Sequence, residues 1–179
     1  MNRTQGRLWA AAVAALCAGA TAPSGALNGA SERAAALRHD PRFILEAVAR
    51  RMGIRLRPEV PLPAIRLESR TPLARLQAAA EREWGFRPRA FVSVYAPAGN
   101  AIYLIDDATH YRRHGGTPDD SLAHEFVHYL QAAYRRDALD ADWVESEAVS
   151  VQTWFRSEYM APKRLAARPA PRARPETGR

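Results

Sequence analysis

The chain has 179 residues, 47% of them hydrophobic and 25% charged, with a formal net charge of +7. That charge lies at the two ends, Arg3 and Arg7 near the start and six basic residues against Glu176 beyond residue 161, so Leu27 to Ala161 balances to zero. A neutral middle with no nucleic-acid motif excludes a basic nucleic-acid binder, and a single cysteine, Cys17, excludes disulfides and thiolate metal sites downstream of it.

Arg3 and Arg7 precede an apolar run from Leu8 to about Ala20, followed by small residues. Positive, then apolar, then small is the order of a secretory signal. Pro23 disfavours a cut after Ala22, so cleavage is expected near Ala26 or Ala30, with residues 1–26 as leader and a periplasmic or secreted product. The apolar run is short for a membrane span, which makes a retained anchor the lesser expectation. Residues 31–161 then read as one α+β domain, enough for a single core.

Its first helix is expected from Asp40 to Met52, with Asp40 as cap, Pro41 next and Gly53 at the stop. Strand-like pieces follow at Ile54–Leu56 and Ala64–Leu67, then a helix over 72–84 stopped by Gly85. Ala90–Tyr95 and Ala101–Ile105, separated by Pro97-Ala98-Gly99-Asn100, predict an antiparallel hairpin. His110 to Gly116 reads as a loop whose Gly115-Gly116 pair would let it move. Thr117 and Pro118 open a helix expected to reach about Arg135, and another is expected over 142–160, with Trp143, Val144, Ala148, Val151, Trp154 and Phe155 inward. The tail, residues 162–179, is rich in Pro, Ala and Arg and is expected to be disordered. It is a solvated segment on the plain reading, or one in weak contact with an anionic envelope surface.

The chemistry lies in His124-Glu125-Phe126-Val127-His128, an HExxH motif on the first helix of that last pair. Histidines four apart share a helix face and can meet one zinc ion, and Glu125 is placed as general base for a water in the open position. One zinc per chain needs a third protein ligand. Glu145 and Glu147 are about 200° apart on the helical wheel, so only one can face the metal. Glu147 is the expected ligand, and Glu145 the expected capping partner of Asp142.

His124-Glu125-xx-His128, eighteen residues, then Glu147-Ala148-Val149-Ser150 resembles the gluzincin zinc metallopeptidases. The wider stretch is similar to small bacterial HExxH domains. The resemblance covers about Phe91 to Met160 and is sharp only at the motif residues. It implies a minimal zincin-like α+β domain, a small antiparallel sheet beside the HExxH helix, and hydrolysis of a peptide or protein substrate. One departure is that Val151 stands where thermolysin-like enzymes place an Asp to orient the first histidine. Asp120, Gln152 or a backbone carbonyl would have to replace it. The oxyanion partner is sought among Tyr134, His110 and Tyr159, with His114 and Tyr111 further candidates. Ala101, Ile102, Tyr103 and Leu104 are the expected substrate-pairing strand. A catalytically weak or inactive zinc-binding domain, structural or protein-binding, is the alternative function.

Overall fold

The computed structural model describes residues 34–135 and 141–161; the expected leader, the basic tail and residues 136–140 fall outside the described residues. Helix α1 (Pro41–Arg51) starts where the Asp40 carboxylate accepts a hydrogen bond from the Arg42 backbone N–H, and its inward face is Ile44, Leu45, Ala47, Val48 and Ala49. Gly53 takes φ +67° just beyond its end, a conformation with little cost for glycine. No strand forms at 54–56; Ile54 and Leu56 instead pack as loop residues on the core.

Strand β1 (Ala64–Leu67) is followed by helix α2 (Leu73–Trp84), which Gly85 ends at φ 77°. Strands β2 (Val94–Ala96) and β3 (Ala101–Leu104) form the expected hairpin, though β2 begins four residues later than expected. The turn is a single 3-10 turn at Pro97–Gly99 closed by Asn100 at φ 40°. The Asn100 amide donates to the carbonyls of Pro61 and Leu62, which fixes the approach to β1.

The sheet order is β1-β3-β2, with β1 parallel to β3 and β2 antiparallel to it. A mixed three-stranded sheet thus replaces a bare hairpin. All four residues of β3 are buried, since alternate side chains face different layers. Ile102 and Leu104 join the main core with α1 and the last two helices, while Ala101 and Tyr103 join a second cluster with Leu76 of α2 and Phe91. Burial on both faces explains why this strand reads as a continuous apolar run.

The segment expected as a mobile loop is instead helix α3 (Ala108–His114), capped by Asp107, whose side chain accepts from the Thr109 backbone N–H. Helices α4 (Pro118–Tyr134) and α5 (Ala141–Phe155) follow, and α5 runs on into a π-helical turn at Arg156–Met160. The glycines between α3 and α4 both have positive φ, and a Cβ on Gly116 would lie 3.0 Å from Arg156 Nη2. Their presence follows from that backbone path and the tight approach of Arg156. Trp143, expected in the core, is 45% exposed and lies beneath the Arg135 guanidinium. Among the described residues, no helix is long and apolar enough to cross a membrane.

Glu68, in the turn after β1, carries a carboxyl pushed up to about 7 by burial, then by the nearby charges of Asp107 and Asp106. A folded-state value above the unfolded one means that the native state binds this proton more tightly. Its contribution is fully present below about 4.5 and is lost as pH rises toward about 7. Glu68→Gln should flatten that part of the stability–pH curve, as measured by urea unfolding at pH 4.5 to 8.

Candidate metal centre

Helix α4 is the middle of the molecule. Thr117 and Asp120 form a reciprocal capping box, Pro118 takes the first position, and Leu122, Ala123, Phe126, Val127, Tyr129 and Leu130 are all buried. Such a helix is enclosed on most sides, so its polar residues are forced inward. Glu125 and His128 are 4% and 6% exposed, which is costly without a polar task.

The two histidines meet as the four-residue spacing requires. Their ring centroids are 4.8 Å apart and their Nε2 atoms 3.0 Å apart. Glu145 straddles them, with one carboxylate oxygen 3.5 Å from His124 Nε2 and the other 3.5 Å from His128 Nε2. Bonds of about 2.0–2.1 Å at tetrahedral angles put two zinc donors about 3.3 Å apart. The three observed separations bracket that value. His124, His128 and Glu145 are close enough to hold a metal ion, and a His/His/carboxylate set suits zinc with a position left for water. Two buried atoms beside this group, His124 Nδ1 and Glu125 Oε2, have no hydrogen-bond partner. Atoms of that kind signal an absent water or ion.

The electrostatics follow from burial and proximity. Desolvation, then His128, hold His124 down to about 4, so its ring is neutral at neutral pH. His128 is shifted up because its contacts with Glu145 and Glu125 outweigh the opposing effect of burial. Glu145 is held low, chiefly by His128. Desolvation pushes Glu125 up to about 7, against the pull of His128 and of a hydrogen bond from the Tyr95 backbone amide. That range suits a group that must take and return a proton near neutrality.

The third member of the cluster corrects the expectation. Glu147 does not face the histidines. Both its carboxylate oxygens lie 2.8 Å from Arg135 Nη1, and Oε2 also accepts from Gln131 Nε2 at 3.0 Å. Glu145, expected as the capping partner of Asp142, turns its carboxylate to the histidines. Ala148, Val151 and Phe155 make the buried stripe of α5, and the two glutamates flank it on opposite sides, Glu145 toward the histidines and Glu147 toward the end of α4. Sixteen residues, rather than eighteen, therefore separate His128 from the glutamate that meets it. The signal for this was Arg135, a cation near the helical hairpin's turn that needs one of the two carboxylates.

The other expected roles are also relocated. Tyr134 OH accepts from the Arg57 backbone N–H, Tyr159 packs with Phe43, Trp154 and Phe155, and His110 stacks on His114 in α3. None of the three is in the histidine–glutamate cluster. Tyr111 OH donates to the Ile105 carbonyl. Asp120 is bound to Arg156 and Thr117 instead of orienting His124, whereas Gln152 approaches the His124 ring. Ala101–Leu104 cannot pair with a substrate, because β3 is the central strand and is bonded on both sides. The strand beside Glu125 is β2, which is buried along its length and whose Tyr95 backbone amide donates to the Glu125 carboxylate.

Two polar arrangements were not foreseen. Gln131 Oε1 lies 3.0 Å from His128 Nδ1. Asp119 is wholly buried and accepts from the backbone N–H groups of Arg38 and His39 and from His39 Nδ1. Gln131 was legible as the i+3 neighbour of His128 on one helix face; the Asp119 contacts cross 80 residues of sequence and were not. No protein-family model, curated protein or solved structure matches this chain.

Proposed function

We propose that this protein is a zinc-dependent peptidase that acts outside the cytoplasm, with His124, His128 and Glu145 as ligands and Glu125 as general base. The observation that carries the reading is the spacing of three donor atoms at zinc-like separations next to a buried carboxylate with an unpaired oxygen. Zinc bound there would polarise a scissile carbonyl and acidify a water. Glu125 takes the proton from the attacking water and returns it to the leaving amine.

A zinc-binding domain without hydrolysis is the second reading. It is favoured by the placement of Tyr134, His110 and Tyr159, none of which supplies an oxyanion donor. Metal analysis with a peptide-hydrolysis assay separates the two. Wild type should carry about one zinc per chain and lose activity to a chelator, with zinc restoring it. Glu145→Ala should abolish stoichiometric zinc, while Glu147→Ala should still fill with zinc at saturation. Loss of zinc from Glu147→Ala with retention in Glu145→Ala would reverse the ligand assignment, and a metal-free wild type that refuses zinc would end both readings.

A further inference from the structure

The contacts of Gln131 determine more than its own position. Its Nε2 lies 3.1 Å from the Val144 carbonyl and 3.0 Å from Glu147 Oε2. Both partners only accept hydrogen bonds, so the NH2 group must point at them and Oε1 must point at His128. Oε1 in turn only accepts, and it lies 3.0 Å from His128 Nδ1. The Glu145 oxygen that faces Nε2 is also an acceptor but lies farther off, at 3.5 Å, so the closer contact at Nδ1 takes the hydrogen of the neutral ring and Nε2 keeps its lone pair, directed at His124 Nε2 and Glu145. The amide is itself held from outside. Arg135 Nη1 lies 2.8 Å from both oxygens of Glu147, and Arg135 Nη2 donates to the Met52 carbonyl at the end of α1.

We propose that Arg135, Glu147 and Gln131 form a hydrogen-bonded relay that fixes His128 as its Nδ1–H tautomer and so presents Nε2 to the metal; all three are positioning residues. Every bond in the relay has one possible direction, because it starts at a group that only donates and passes through one that only accepts. A histidine without such a partner is free to turn or to protonate the nitrogen the metal needs. The relay also gives Glu147, which flanks the buried stripe of α5 on the side away from the histidines, a task other than coordination. Its metal-binding consequence rests on the proposed zinc site, but the tautomer does not.

Two measurements test it. Long-range 15N–1H correlation spectra of the metal-free protein, at a pH where the ring is neutral, should show His128 protonated at Nδ1. The reverse tautomer would overturn the proposal whether or not the protein binds zinc. Competition with a chelator should show Gln131→Leu binding zinc roughly 10–100-fold more weakly than wild type. Gln131→Glu alone should not restore affinity, because it sets two carboxylates against each other. The exchange Gln131→Glu with Glu147→Gln returns an acceptor to His128 and a donor behind it, and should recover part of the loss, the Val144 carbonyl remaining without its donor. Rescue by the exchange excludes a merely disrupted core. Unchanged affinity in Gln131→Leu, or an exchange no better than Gln131→Glu alone, would overturn the relay. A wild type with the Nδ1–H tautomer and no zinc affinity would refute the metal site and leave the relay standing.

Discussion

Glu125→Gln should keep its zinc and lose peptide hydrolysis by roughly 10²–10⁴-fold, the usual weight of a general acid–base group. Glutamine preserves the shape of the side chain, and Glu125 is outside the ligand set of His124, His128 and Glu145. Metal content and circular dichroism should therefore match wild type while turnover falls. The substitution also replaces a buried carboxyl shifted up to about 7 with a neutral amide, so folding stability should not suffer. Hydrolysis unchanged in this variant would remove Glu125 from the reaction. Equal loss of zinc and turnover would place it among the ligands.

Asp119→Ala is expected to be the most destabilising single change in the described part of the chain. Asp119 has no exposed surface, and its carboxylate accepts from two backbone N–H groups and one imidazole. Removing it strands those donors beside the start of α4 and costs about 3–5 kcal/mol. A domain of this size has about 5–15 kcal/mol in all. Denaturant unfolding should show a much lower midpoint with an unchanged slope. A shift within about 0.5 kcal/mol, the ordinary range for a surface position, would show that the segment at Arg38 and His39 is not anchored through this residue.

The helices were legible because their ends are chemically marked. Asp40, Thr117 and Gly85 act at the boundaries where capping rules place them. The histidine pair followed from helical spacing alone. The third ligand did not, because Glu145 and Glu147 flank the same buried stripe and single-helix periodicity treats the two sides alike. Which flank meets the histidines depends on how α5 crosses α4, and on Arg135 claiming the other carboxylate. The parallel pairing of β1 with β3 was equally hidden. It joins segments on either side of α2 and leaves no local pattern. Helix α3 was missed because its seven residues mix Ala with His, Tyr and Arg, and the two glycines after it read as a flexible loop.

The sheet and the donor triad differ in how far apart in the chain their parts begin. His124, His128 and Glu145 all come from one pair of adjacent helices, whereas β1 must wait for β3, which starts 37 positions downstream of it. Contacts between near neighbours form faster than those that close long loops. The histidines and their glutamate can therefore come together before the strands have paired, and a cation captured at that stage would act as a template for the rest of the chain.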